Sequence, residues 1–269
     1  MSIAFGRLQY LSSDRMRKFP FWGQVFHKVF GYTNVGNYAR SRVFMRILEQ
    51  LSFENWTNIL DLGCGYGEYS VLMADLVPNA RITALDIDAE RCTNVQAMLK
   101  KAHLDDRINV INQKIETTNA WPQYDFVFSV DVFEHIPEAE MPFAGVFERL
   151  RPGGYFLVKI PNKVQRTIFP ESWFEEHQHW LEEEHVGQVY DLAGLKGRFE
   201  REGFEIIAAE ATDGLVSRLA WELAWLGKKG GVLLQLPSML LAKLLIGLDP
   251  FFKKPGRGNA IHVIGRKPY

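Results

Sequence analysis

The chain has 269 residues, 47% hydrophobic and 23% charged, with a formal net charge of -1 and a pI near 6.7. That is ordinary globular material, long enough to bury a sizeable core as one large α/β domain or two small ones, and it gives no general case for a nucleic-acid partner. Two cysteines, Cys64 and Cys92, with no CxxC pair, exclude a disulfide framework and fit a reducing, cytoplasmic setting.

The first fifty residues are aromatic and basic, with eight Lys/Arg against two Asp/Glu. They lack the continuous apolar core and small-residue cleavage site of a signal peptide. Residues 213–269 are also basic, nine against three, which leaves 51–212 with a net charge of -13. Either basic flanks pack against an acidic core domain, or they form a basic face for an anionic surface or substrate.

The middle alternates strand and helix. Strands read at 58–62, 81–86, 107–112, 125–130, 154–160 and 204–210, with a last one at 260–266. Helical patterns lie near 67–76, 89–102, 139–150 and 191–202; Asp191 is placed as the N-cap of the last, and Gly203 as its C-terminal glycine. This alternation predicts a doubly wound, mostly parallel seven-stranded sheet with helices on both faces. Ligands of such sheets bind at the carboxyl ends of the strands. The chain reads as a single domain over 1–269, with an N-terminal cap at 1–50 and an apolar helical insert at 211–258 before the last strand.

The stretch NILDLGCGYGEYS, residues 58–70, is a buried strand, a tight turn with Gly63, Gly65 and Gly67, and a helix start. Alternate glycines let the backbone turn sharply and let a ligand approach the main chain. Free N–H groups of the following helix favour an anionic group. The dinucleotide fingerprint fails, because its third small residue is here Glu68, and no Gly-Lys-Ser/Thr follows for a Walker A loop. Asp86 ends the second strand about twenty residues on, where an acid accepts hydrogen bonds from a ribose diol. Asp61 suits a cationic amino group. A ligand with ribose hydroxyls, an amino-acid head and no phosphate fits both acids, and S-adenosylmethionine is such a ligand.

DLGCGYG, ALDID, YDFVFSVDVFEHIP and LRPGGYFLVKIPN, in that order, resemble the class I S-adenosylmethionine-dependent methyltransferase family over about residues 56–210 and the last strand. The resemblance implies that Asp61, Gly63, Cys64 and Gly65 lie against the methionine part and the ribose. It implies that Asp86 binds the ribose hydroxyls, that Ile87 packs on adenine, and that Ser129 and Val130 offer backbone carbonyls near the amino group. Many relatives carry an acid after the third strand for the adenine amino group; Lys114 stands there, leaving Ile115 backbone or Glu116 for adenine. GYTNVGNYARSR is similar to an N-terminal helix that closes over the cofactor in small-molecule and lipid-related members. Tyr32 and Tyr38 are candidates for that cover, unless this is an ordinary packed surface helix.

Methyl transfer from a sulfonium is an in-line displacement, accelerated by positioning. A hydroxyl nucleophile also gains from a general base, usually histidine. His177, His179 and His185 cluster between the fifth strand and the next helix. The spacing of His177, His179 and Glu182 to Glu184 matches no zinc pattern, so no metal is expected. His179 and His185 are candidate bases, against a solvated loop with structural histidines. His135, in FEHIP, is the other candidate base, against a structural role.

The insert suggests one helix with Trp221 and Trp225 a turn apart and an Arg218–Glu222 pair, then an apolar face after Pro237. Gln235, Pro237 and Lys243 interrupt it, so it is not read as a membrane span. It reads as helices packed over the sheet or across a homodimer interface, as a membrane-surface element, or as a lid on an apolar acceptor pocket. Two functions follow. One is an S-adenosylmethionine-dependent methyltransferase acting at oxygen on a small or lipid-like acceptor, in the cytoplasm or at the membrane surface; a nucleic-acid acceptor is disfavoured by the acidic core. The other is a non-catalytic cofactor-binding scaffold that uses the insert to hold a membrane or partner.

Overall fold

In the computed structural model, residues 34–114, 122–176, 190–252 and 257–269 are described, together with Phe21, Val25 and Val29. The elements in chain order are α1 (Val35–Leu48), β1 (Asn58–Leu62), α2 (Glu68–Leu76), β2 (Arg81–Asp86), α3 (Ala89–Lys101), β3 (Ile108–Asn112), β4 (Tyr124–Val130), α4 (Phe143–Arg149), β5 (Leu150–Pro161), α5 (Leu192–Arg201), β6 (Glu205–Thr212), α6 (Leu215–Lys229), α7 (Val232–Leu248) and β7 (Ala260–Arg266). The seven strands form one sheet in the order β3-β2-β1-β4-β5-β7-β6. β7 runs antiparallel to both β5 and β6, and the other pairs are parallel. The strand order reverses between β1 and β4, so the crevice above their carboxyl ends is where a ligand sits in such a sheet.

Period-two alternation builds the two core layers. Ile59, Phe126, Phe128 and Leu157 point to the side packed by α1, α2 and α3, with Phe44, Ile47, Val71, Met73 and Val95. Leu60, Leu62, Val127, Phe156 and Val158 point to the other side, with Phe143, Leu195 and Phe199 from α4 and α5. The sheet is buried on both faces, which is why its strands read as near-continuous apolar runs.

The caps follow the sequence. The Asp191 carboxylate accepts from the Gly194 N–H at 2.7 Å, and Gly203 takes a φ of +87° past the end of α5. Helix α4 starts later than its pattern suggests. Pro142 disfavours helical backbone at Met141, which is extended at ψ 125°, so Glu138–Glu140 is a separate 3-10 turn.

The insert is a helical hairpin, and it packs on α1 rather than over the sheet. Ala220 of α6 and Met239, Ala242 and Ile246 of α7 form a small core with Val35. The Trp221 and Trp225 rings stack with centroids 5.5 Å apart. Arg218 lies within electrostatic reach of Glu222, and buried Glu222 also accepts from the backbone N–H groups of Ile168 (2.8 Å) and Phe169 (2.9 Å), anchoring α6 to the loop after β5. Helix α7 holds Pro237 in its interior, so that residue does not end the helix.

Candidate functional site: a cavity at the carboxyl ends of the strands

The turn after β1 is held by its neighbours. The N–H groups of Gly63 and Cys64 both donate to the Leu85 carbonyl at 2.8 Å, and the Gly67 N–H donates to the Cys64 carbonyl at 2.8 Å. The Gly65 N–H donates to Asp86 Oδ2 at 2.8 Å. These donors are taken up inside the protein, so the turn itself is no phosphate cradle. Gly63 has a φ of +82°, and a Cβ there would come within 2.4 Å of Val132; Gly65 has a φ of +54°, and a Cβ there would meet nothing within 4 Å. The first glycine lets the turn pack against the segment after β4, and the second leaves open space.

That space belongs to a cavity of about 1490 Å³. Gly63, Cys64, Gly65, Asp86, Ile87, Val130 and His135 all line it. Asp86 is buried, with Oδ1 accepting from the Asp88 N–H at 3.0 Å, while Ile87 beside it is 72% exposed. The pair presents a fixed carboxylate next to a bare apolar surface. Lys114, also on the wall, pairs with Glu140 at 2.8 Å.

Other predicted residues lie elsewhere. Asp61 is buried beneath the turn, off the cavity wall; it accepts from Ser70 Oγ at 2.6 Å and fixes the start of α2. Burial, with the Asp86 charge adding to it, lifts its pKa to about 7 against the lowering effect of the Ser70 bond. Ser129 is buried and donates its Oγ to the Leu62 carbonyl at 2.9 Å. Tyr38 is turned away from the cavity, toward Lys243 of α7, whose Nζ lies 5.7 Å from the ring centroid. Helix α1 instead presents Gly36, Asn37, Ala39 and Arg40 to the cavity, because Tyr38 sits on the stripe that packs on the insert. Tyr32, Ile115, Glu116, His177, His179 and His185 lie outside the described residues.

A charged chain that the sequence reading missed crosses the site. Arg40 Nε pairs with Asp131 Oδ2 at 2.5 Å. Lys159 Nζ lies 3.3 Å from Asp131 Oδ1 and 3.8 Å from Asp213 Oδ2, with its side chain only 2% exposed. This joins α1, the ends of β4 and β5, and the loop that opens the insert. Both acids sit at positive φ, 54° for Asp131 and 55° for Asp213. Burial pushes the Asp131 carboxyl up, but Lys159 and Arg40 together hold it below the ordinary range. Burial raises Asp213 despite Lys159. Beside them Glu134 is buried, its Oε2 has no hydrogen-bond partner among the described residues, and burial plus the Asp131 charge push it up to about 8. Glu68, which accepts from Asn37 Nδ2 at 3.2 Å, is likewise lifted by burial to about 7. The signal for this chain was a lysine inside the apolar run LVKIP of β5, since a buried lysine demands acidic partners.

A family model described as a methyltransferase domain matches residues 34–209, the span that contains the turn, Asp86, His135 and most of the charged chain. The chain belongs to the class I S-adenosylmethionine-dependent methyltransferase family. It is 33% identical over 159 residues to a malonyl-[acyl-carrier protein] O-methyltransferase of Ilyobacter polytropus, covering 57% of this chain and 56% of that one. It is 29% identical over 106 residues to a trans-aconitate 2-methyltransferase of Deinococcus radiodurans, covering 39% and 38%. The chain thus spans roughly two fifths to just over half the length of these curated relatives. Among solved structures, a putative sarcosine dimethylglycine methyltransferase from Galdieria sulphuraria shares the fold with a TM-score of 0.58 at 18% identity, covering 96% of this chain and 90% of that one.

The residues present fit the family cofactor. Buried Asp86 presents a fixed carboxylate, Gly65 leaves open space at the turn, and Ile87 offers an exposed apolar contact. The acids Glu68, Asp131, Glu134 and Asp213 line the cavity with the cations Arg40 and Lys159, so its polar wall carries groups of both signs. S-adenosylmethionine, when bound, supplies an electrophilic methyl group.

Proposed function

We propose that the methyltransferase acts at an oxygen of a small, apolar or lipid-like acceptor. The observation that carries this reading is the continuity of the cavity. It runs from Asp86 and Ile87 to a second wall containing Phe174, Trp221 and Ala260, where Arg166 and Arg218 also stand. The Phe174 and Trp221 rings lie 5.9 Å apart and give that wall an aromatic surface for an apolar body. Arg218 stands one helical turn from Glu222, and its guanidinium offers positive charge to a polar or anionic group on the acceptor. Helix α6 therefore acts as the lid of the acceptor pocket. His135, on the 3-10 turn after β4, is the described candidate for the base that takes the hydroxyl proton. The O-methyltransferase named among the relatives supports oxygen as the accepting atom.

The test is methyl transfer from labelled S-adenosylmethionine to a panel of prenylated phenols, long-chain acids, soluble hydroxy acids and amines. Transfer to an apolar hydroxyl or carboxyl compound is expected, with a KM that rises in Trp221→Ala. Turnover confined to amines or to small polar acids would overturn the acceptor reading. Absence of cofactor binding by calorimetry would instead favour a scaffold.

A further inference from the structure

We propose that the outer face of α7, with the turn that follows it, docks on an anionic membrane surface. Leu233–Phe252 is, among the described residues, the one helical stretch long and apolar enough to cross a membrane by length and composition, with a mean hydropathy of 1.3. Only 22% of its apolar window is buried. Its inner face holds Met239, Ala242 and Ile246 against α1 and α6, so the helix lies along the protein instead of passing away from it. Its outer face is bare. Leu233 is 89% exposed, Leu244 63%, Phe251 82% and Phe252 59%, with Leu240, Leu241 and Leu248 between them. This stripe recurs every three to four residues, the spacing of one helix face.

Charge selects the partner. Between 215 and 257 the chain holds only two acids, Glu222 and Asp249, and seven Lys/Arg. Both acids are buried and used internally: Glu222 on the loop after β5, and Asp249 Oδ1 on the Ser217 N–H at 2.9 Å. The remaining charges of that span are positive: Lys228 and Lys229 at the end of α6, of which Lys229 pairs with the exposed Glu176 at 3.4 Å, and Lys253, Lys254 and Arg257, which follow Phe252 in sequence. A broad apolar face with an excess of basic over acidic residues at its ends complements anionic headgroups above acyl chains. A soluble protein seldom leaves such a stripe bare. The opposite side of the hairpin, through Ser217 and Trp221 of α6, lines the proposed acceptor pocket, so docking here places that pocket beside the bilayer.

The experiment is flotation of the full chain with phosphatidylcholine vesicles, with and without 30% phosphatidylglycerol, at low and high salt and without cofactor or acceptor. It is independent of the proposed methyl transfer, so failure of one reading leaves the other standing. Flotation with anionic vesicles is expected, weakened at least fivefold by high salt, by Lys228→Glu/Lys229→Glu, and by Leu244→Glu/Phe251→Glu. All four positions are surface residues, and circular dichroism confirms that the variants fold. No flotation at low salt, equal flotation with neutral vesicles, or undiminished flotation of Leu244→Glu/Phe251→Glu would overturn the proposal. A wild-type dimer that this last variant converts to a monomer, with no vesicle binding by either, would make the face a contact between two copies instead.

Discussion

The Gly65 N–H donates to Asp86 Oδ2 at 2.8 Å, which ties the glycine turn after β1 to the acid that ends β2. With Asp88 N–H on the other oxygen, the carboxylate is oriented before any ligand arrives. Preorganisation of this kind lowers the ordering cost of binding. Asp86→Ala is therefore expected to weaken binding of S-adenosylhomocysteine at least tenfold, about 1.4 kcal/mol, in a calorimetric titration. Binding within twofold of wild type would show that Asp86 holds the turn and not the ligand.

The two glycines of the turn should separate folding from binding. Alanine at Gly63 collides with Val132 and requires a positive φ, so Gly63→Ala is expected to lower stability by about 2 kcal/mol or more. Alanine at Gly65 meets no protein atom. Its strain is that of a left-handed residue alone, about 1 kcal/mol, and its methyl occupies cavity space. Thermal melts should rank Gly63→Ala below Gly65→Ala, while cofactor titration of Gly65→Ala should show the larger loss per degree of melting temperature.

Lys159 stands between two carboxylates, almost fully buried. Lys159→Met leaves Asp131 with Arg40 alone and Asp213 without its cation. Breaking a buried pair by removing one partner costs about 3 kcal/mol or more. The double variant Lys159→Met/Asp213→Asn should recover part of that loss, because it removes the stranded charge. Denaturant melts of the cycle measure the coupling; additive effects would mean that the two residues do not interact.

The pH dependence of stability has a definite sign. Asp61, Glu68 and Glu134 are lifted to about 7, 7 and 8 in the folded protein by burial. Between the ordinary carboxylate range and those values the folded state holds more protons than the unfolded one, so stability falls as pH rises. Asp125 and Asp131 are depressed and act oppositely, but only at acidic pH, where their stabilisation is lost as pH falls. The cofactor-free protein should therefore melt higher near pH 5 than near pH 8. Glu134→Gln should flatten the slope between pH 6 and 8, and an unchanged slope would show that Glu134 titrates normally.

Much of this architecture was legible because local signals agreed. All seven strands were placed within a few residues, since buried strands bounded by turns leave apolar runs that periodicity detects. Asp191 and Gly203 marked the ends of α5 by cap chemistry. Residues whose role depends on distant partners were not legible. Nothing local says that Asp61 faces Ser70 beneath the turn, or that Arg40 reaches Asp131 ninety-one positions away, since such contacts are set by the sheet order. The side taken by Tyr38 was illegible for a related reason. Helix α1 is covered on two sides, by the cavity and by the insert, and spacing alone does not say which side a tyrosine takes.

Of the histidines put forward as bases, His135 is the one among the described residues, and it lines the cavity. Removing a general base commonly costs a hundredfold or more in rate. His135→Gln is expected to lower kcat by about that factor with KM little changed, and to abolish the acidic limb of the pH–rate profile. A histidine that only packs beneath the site would lower the melting temperature and keep that limb. The same measurement on His179→Gln and His185→Gln decides between the two histidine groups. If only one of these loses the limb, the base comes from the segment before α5; if all three variants keep full turnover on the true acceptor, no histidine serves as base, and positioning alone carries the transfer.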